Sequence, residues 1–542
     1  MSETVVVGAG PTAVHFALSL LRKGRAVTML DVGYSGNPPL RPADSLQNLK
    51  ENLDDPAEYF LGKNFEGVLL PDVEKEYYGI PPGKQYIFRN AGDFRFRSRG
   101  FEPLFSFAQG GMAQAWTAGC YPFNDAEFKD FPFGYAEIEP HYNEVARRIG
   151  ITGEPDDLAR FFPLHANLLA PIPFDRHSRL LMEEYARRKS ALNGAGFYMG
   201  RTRVATLTRD MNGRKACQLL GRCLWGCPTL SLYTPSITLA ECREFPQFKY
   251  GSGMRVTHFR YDAGHRVRAV VAEPVEGGAP QEFPAETLVL AAGALSSTYV
   301  YLNSIYRDSG EVVSLVGFMD NRQVLVPFVN LRLLGKPYDP DTYQYHLVGL
   351  GLEAEDPRFY VHGQVTTLKT GLLHPIMQDL PVDLRTASYI VRNAHCALGI
   401  VNVNFHDTRR ETNTVSLETE GGAGSGSGGD RAARLAIYYQ PAADEPRRRA
   451  EAVKRVGKGL WKLGCVVPPG MAHLRPMGAS AHYAGTLPML ADGGPHTTTA
   501  DGRSRLFENL YVIDGASYPF LPAKNITFTL MANAVRVAET AF

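Results

Sequence analysis

The run Thr4-Val5-Val6-Val7, followed at once by Gly8-Ala9-Gly10-Pro11-Thr12-Ala13, limits what this chain can fold into more than any other feature. An uncharged β-branched run predicts a strand buried on both faces, as in the middle of a parallel sheet. A helical stretch through about Arg22 follows, then a second strand at Val27–Leu30 with Asp31 at its end. Gly8 permits the tight turn, Gly10 lets the backbone approach a pyrophosphate, and Ala13 is small enough for the helix to pack closely on the strand. The helix start offers free N–H groups and the positive end of its dipole to phosphates. Asp31 stands 21 residues beyond Gly10, where an acid accepts hydrogen bonds from ribose hydroxyls. Strand, glycine turn, helix, strand and acid together predict a dinucleotide site, without separating NAD from FAD. His15, on the same helix, reads as a structural residue.

Length and charge exclude other classes. The chain has 542 residues, 44% hydrophobic and 21% charged, with a net charge of +1. That is globular composition, with room for several domains or one composite enzyme. A near-neutral chain with no long basic run has no electrostatic reason to bind nucleic acid or an anionic membrane. The first residues have no basic leader or long apolar run, and no stretch reaches the roughly 18 apolar residues of a membrane span. The expectation is a cytoplasmic protein without a membrane span, export with a partner staying open. Seven cysteines are too sparse for a disulfide scaffold.

The other end carries the second signal. His482-Tyr483-Ala484-Gly485-Thr486 leads through a loop to Asn509-Leu510-Tyr511-Val512-Ile513-Asp514-Gly515-Ala516-Ser517, then Pro519, Pro522, Asn525 and an apolar helix, Thr527–Ala541. The pattern His-x-x-Gly-Thr, Asn-Leu-x-Val-x-Asp-Gly-x-Ser, Pro and Asn resembles the GMC (glucose–methanol–choline) oxidoreductases, FAD-dependent alcohol oxidisers. The glycine turn matches too. Gln109-Gly110-Gly111-Met112-Ala113-Gln114-Ala115-Trp116 is similar to that family's second flavin-contacting segment, and Leu288–Leu295, with Ala291-Ala292-Gly293, to its FAD-domain strand-turn.

The resemblance implies a fold, a cofactor and roles. The fold class is α/β (α+β): a Rossmann-like FAD-binding region with a parallel sheet, interleaved with a substrate region on a mostly antiparallel sheet covered by helices. Residues 1–35, 95–125, 200–309 and 470–542 fall to the first region; 36–94, 126–199 and 310–469 fall to the second and its connections. FAD would lie against Gly8, Gly10, Ala13, Asp31, Gly110, Gly111, Ala113, Val256, Ala292, Gly293, Asp514, Gly515, Asn525 and Thr527. The Gly110 segment offers no His for a covalent bond, so FAD is expected to be non-covalent. His482 takes the family's base position and Asn525 that of its second polar residue. The chemistry agrees: an alcohol's hydroxyl proton needs a base, a histidine titrates near neutrality, and an amide can only hydrogen-bond and orient. His473 and His496 flank His482 without the motif. Where the family often has Asp-His, this chain has Asp320-Asn321, which leaves the substrate entrance open to question.

Cys217-x5-Cys223-x3-Cys227-Pro228 sets three thiols within eleven residues. Soft thiolates suit an iron–sulfur cluster, or zinc with a fourth ligand from elsewhere; inert buried thiols fit as well. Within the family, the spacing, with Arg214 and Tyr233 around it, resembles the catalytic subunits of bacterial FAD-dependent glucose dehydrogenases. That likeness implies a three-iron (3Fe-4S) cluster on Cys217, Cys223 and Cys227, with a small subunit or cytochrome as acceptor. The activity expected is oxidation of a CH–OH group of a sugar, glycoside or polyol. An oxygen-reducing oxidase and a flavin-containing lyase stay open as alternatives.

Between the motifs, Arg255–Ala272 reads as strands on the adenine side. Val324–Leu331, Tyr345–Leu352, Ala387–Ile390, Ala397–Asn404 and Arg434–Tyr439 read as a strand-rich middle. Its histidines, His346, His362, His374, His395 and His406, are too irregularly spaced to predict a metal site. Gly421–Gly429 is low-complexity and expected at a hairpin tip, and Glu445–Leu463 reads as a helix.

Overall fold

The computed structural model describes residues 3–65, 67, 76, 79–368, 377, 380–419 and 433–542. Five parallel strands form one sheet in the order Leu510–Val512, Thr287–Leu290, Thr4–Val7, Val27–Leu30, Phe248–Gly251. Alternate residues of a strand point to opposite faces, and here both faces are dry. Val5 and Val7 pack with Leu288 and Leu290 beneath the helix Ala294–Ser309. Val6 and Val289 pack on the other side, against the helices Pro11–Arg22 and Thr527–Thr540. That explains the unbroken β-branched run at residue 4. Beside this sheet lies a three-stranded antiparallel sheet, Met254–Tyr261, Val267–Pro274 and Gln281–Pro284.

A second large sheet has seven strands and is antiparallel throughout. Its order is Cys465–Val466, Gln323–Asn330, Leu398–Asn404, Val361–Thr367, Val348–Leu352, Phe197–Arg201, with His473–Leu474 also paired to Gln323–Asn330. The helices Arg176–Asn193 and Glu445–Lys462 cover one face, where Val324, Val326, Val365, Val401 and Val403 are buried. The alternate residues Gln323, Gln364 and Asn402 face a cavity instead. The fold is therefore α/β, a parallel Rossmann-like sheet joined to an antiparallel one roofed by helices.

One expected strand is a helix. Ala387–Ile390 lies inside the helix Leu384–Ala394. Asp383 caps it, its carboxylate accepting from the N–H groups of Arg385 and Thr386, and only Ala387 and Val391, four apart, are buried. That is a helical period with a cap, which outweighs the β-propensity of Tyr389 and Ile390. The strands Thr414–Thr419 and Ala433–Tyr438 pair antiparallel; the low-complexity run Gly421–Gly429 between them, and His374, lie outside the described residues. Among the described residues, no helix is long and apolar enough to cross a membrane.

Candidate active site

A cavity of about 900 Å³ runs between the carboxyl edge of the parallel sheet and the inner face of the seven-stranded sheet. One end is built from glycines. Gly8 has φ +97°, and a Cβ there would stand 2.8 Å from the carbonyl oxygen of Ala291, so only glycine lets the first strand pass so close. A Cβ on Gly10 would meet nothing nearer than 4.0 Å, and one on Gly111 or Gly293 nothing within 4 Å. These three positions face open space. The helix Pro11–Arg22 begins at Gly10 with no side-chain cap, leaving its first N–H groups free for an anion.

The acids of this end are buried. Asp31 accepts a hydrogen bond from the Tyr250 hydroxyl at 3.0 Å, and burial pushes its carboxyl up to about 7. A carboxylate with unused lone pairs in a cavity wall suits vicinal hydroxyl donors. Asp514 accepts from the N–H of Gly293 and of Ala516, each at 3.0 Å, and from Ser297 Oγ at 2.5 Å. It pins the strand-turn at residue 293 to the carboxyl-terminal segment. Burial raises it to about 6.

Of the residues expected to touch a dinucleotide, twelve line this cavity, Val256, Ala292, Gly515 and Thr527 among them. Ala13 and Gly110 do not. Ala13 is buried in the helix–sheet contact, the packing role its size suggests. Gly110 makes the turn into Gly111–Gln114 with φ +93°. An uncapped helix start, three glycines facing space and a buried acid fit a flavin dinucleotide.

At the other end His482 and Asn525 meet. His482 precedes the short strand Tyr483–Ala484, which pairs with Met319–Asp320 so that Asp320 faces Tyr483. Continued by one residue, that register sets Asn321 opposite His482. Asn321 Oδ1 lies 3.0 Å from His482 Nδ1, while Asn321 Nδ2 donates to the carbonyls of Phe405 and Pro522, each at 2.8 Å. Asp320 holds the loop before His482: it accepts from the Gly478 N–H and from Ser480 Oγ, and Ser480 Oγ in turn accepts the His482 N–H at 2.9 Å. Burial raises Asp320 to about 7 and lowers the His482 imidazole to about 4, so the ring is neutral at ordinary pH.

Asn525 Nδ2 is 3.4 Å from His482 Nε2, and its Oδ1 accepts from Gln364 Nε2 of the seven-stranded sheet. The preceding Lys524 is fully buried and pinned by three oxygens: Glu127 Oε2 at 2.8 Å, Phe161 O at 2.8 Å and Pro122 O at 3.0 Å. This fixes the loop that carries Asn525. The sequence marked Asn321 as a departure from the family pattern without its contact to His482, and it did not mark Gln364 at all. The alternation in His362-Gly363-Gln364-Val365-Thr366 and Val401-Asn402-Val403-Asn404 was the available signal, since a strand with one polar face can turn it to a cavity as well as to water.

The thiol loop does not form the expected ligand set. Among the described residues, no three His, Cys, Asp or Glu side chains come together to hold a metal ion. Cys227 Sγ is engaged with Ser231 Oγ at 3.1 Å and Thr229 Oγ1 at 3.4 Å, and burial pushes the Cys217 thiol up, away from the thiolate a metal requires. None of the three is in a disulfide. Arginines organise this loop instead. Arg214 donates to the carbonyls of Ile149, Leu230 and Ser231, and Arg222 to those of Leu40, Arg41 and Asp44.

Comparison with known proteins gives the same picture at low identity. Residues 471–534 match the family model for GMC oxidoreductase. The chain is 24% identical to paromamine 6'-oxidase from Streptomyces fradiae, over 99% of this chain and 90% of that one. It is 22% identical to 2-methyl-1,2-propanediol dehydrogenase from Mycolicibacterium austroafricanum, over 99% and 94%. It is 23% identical to C-glycoside 3-oxidase from Microbacterium trichothecenolyticum, over 99% and 96%. Pyridoxine 4-oxidase from Mesorbium loti has the same fold, with TM-score 0.59 at 16% identity over 99% of both chains.

Proposed function

We propose that this chain is a GMC oxidoreductase, an FAD enzyme acting on CH–OH donors, that oxidises a hydroxyl of a sugar, glycoside or related polyol with His482 as its base. The observation that carries the reading is the pairing of His482 and Asn525 at one end of a cavity whose other end is a glycine-lined, acid-flanked dinucleotide cradle.

Gly8, Gly10 and the start of the helix Pro11–Arg22 would hold the pyrophosphate, Asp31 a ribose, and Gly111, Ala113, Asp514 and Gly515 the remainder. When bound, FAD would supply the two-electron acceptor for the hydride of the carbinol carbon. His482 is neutral, so Nε2 can take the hydroxyl proton. Asn525 cannot accept a proton at neutral pH; its Nδ2 donates to the substrate oxygen and, with Oδ1 held by Gln364, points one way.

The sugar class draws on two supports. Gln323, Gln364 and Asn402 line the cavity, and a carboxamide offers a donor and an acceptor, the pair a hydroxyl needs. Two relatives are named for oxidation of a glycoside or an aminoglycoside, and a third for a diol. Relatives named as oxidases also favour oxygen as the electron acceptor. A panel of sugars, glycosides and polyols, added anaerobically to the holoenzyme, tests the substrate class. Bleaching of the flavin by at least one of them is expected, and a flavin that none of them bleaches overturns the reading. Admitting air should then restore the colour with release of one peroxide per turnover; a flavin that stays reduced in air rules out oxygen.

A further inference from the structure

We propose that Asn321 is a positioning residue that commits the His482 ring to one tautomer, with its hydrogen on Nδ1 and the bare Nε2 turned to the cavity. The inference deepens the reading of His482 as the base and rests on it. It starts from the orientation of the Asn321 amide. Asn321 is 1% exposed, and its Nδ2 lies 2.8 Å from two carbonyl oxygens, those of Phe405 and Pro522. Carbonyls only accept, so both amide hydrogens are committed. The flipped amide would set its oxygen against two other oxygens in a buried site and leave three acceptors without donors.

Asn321 Oδ1 is therefore fixed 3.0 Å from His482 Nδ1, as an acceptor that requires a hydrogen on that nitrogen. A neutral imidazole carries one hydrogen. With it on Nδ1, Nε2 is left as a lone pair. The opposite side agrees. Asn525 Oδ1 is taken by Gln364 Nε2, so Asn525 presents Nδ2, a donor, to Nε2 at 3.4 Å. The loop adds a second hold: Asp320 fixes Ser480, and Ser480 accepts the His482 N–H. Asp320, at the end of its strand, and the residue after it thus divide the task, Asp320 holding the backbone of His482 and Asn321 its ring. Asn321 does not line the cavity, so it acts through His482 and not on the substrate.

Histidine ring ¹⁵N spectra of the holoenzyme near neutral pH test this directly, His482 being assigned by the signals lost in His482→Gln. A protonated Nδ1 and bare Nε2 are expected; a protonated Nε2 overturns the proposal. Asn321→Leu keeps the volume and removes the acceptor. It should retain the flavin spectrum, leave KM within a few fold, and lower anaerobic flavin reduction toward the roughly 10²-fold or greater loss of a missing base. A leucine variant that holds FAD and reduces it at the wild-type rate also overturns the proposal. If that variant fails to fold, the wild-type ring signals decide alone. The failure of the parent reading looks different: His482→Ala would reduce its flavin normally while the wild-type ring still carried its hydrogen on Nδ1.

Discussion

The imidazole of His482 is held neutral by its surroundings. Burial, the cause of its lowered pKa of about 4, penalises the imidazolium because the cavity wall cannot solvate it. Asp320 stands behind Ser480, and His362 on the facing strand feels the charges of His482, His346 and Lys524. A base must be unprotonated, so the rate of flavin reduction should hold as pH falls through the ordinary histidine range and drop only near pH 4. A stopped-flow pH series measures this; a limb at the model-peptide value of about 6.5 would show the site to be wetter than its packing implies. His482→Ala should keep FAD and lose roughly 10²- to 10⁴-fold in flavin reduction, measured under anaerobiosis.

Single elements carry the architecture, and they differ in how legible they were. The glycine turn could be read because its chemistry is local: strand, turn and helix follow one another in sequence. Gly8→Ala should abolish FAD binding or folding, since a Cβ at φ +97° would press on the Ala291 carbonyl at 2.8 Å; absorbance of the purified variant near 450 nm checks it. The tail motif was local too. Gln364 and the contact of Asn321 with His482 were not, because they depend on pairings between strands far apart in sequence, Gln364 with Asn402 and Asp320 with Tyr483. Spacing along a single chain does not carry that register. The segment Ala387–Ile390 is a helix because the cap at Asp383 acts from outside it, and nearness in sequence of Cys217, Cys223 and Cys227 does not by itself assemble a set of three ligands among the described residues. The loop before the last helix depends on Lys524 and Glu127, a fully buried pair. Lys524→Met leaves a buried carboxyl without its cation and should cost about 3–5 kcal/mol in denaturant unfolding. Replacing both, with Glu127→Gln, should recover most of that; a single variant as stable as wild type would show the pair contributes nothing.

At the scale of the molecule, burial acts on many ionisable groups at once. His15 and His362 are lowered well below their ordinary value, His141, His165 and His395 to about 4, and His406 to about 3. A histidine lowered by folding contributes stability that is present above its unfolded pKa and lost as pH falls through the folded one. Asp31 and Asp320 are raised to about 7 and Asp514 to about 6; a raised acid contributes stability that is present at low pH and lost as pH rises through the folded pKa. The histidines outnumber the acids, so near pH 5 the unfolded chain binds more protons and stability climbs with pH; toward roughly pH 7 the acids offset the gain. Thermal scans of the holoenzyme should show Tm rising from roughly pH 5 to 7 and then levelling. A Tm that falls over that interval would reverse the balance.

The order of strands in the parallel sheet has a consequence for biosynthesis. Its outer strand, Leu510–Val512, lies against Thr287–Leu290, which borders the strand at residue 4. A growing polypeptide from which residues 443–542 have not yet emerged holds the glycine turn but lacks Asp514, His482 and Asn525. The cavity is thus incomplete until residues 482–525 have emerged, and until Leu510–Val512 pairs with it the strand Thr287–Leu290 presents an open edge on which another chain could pair.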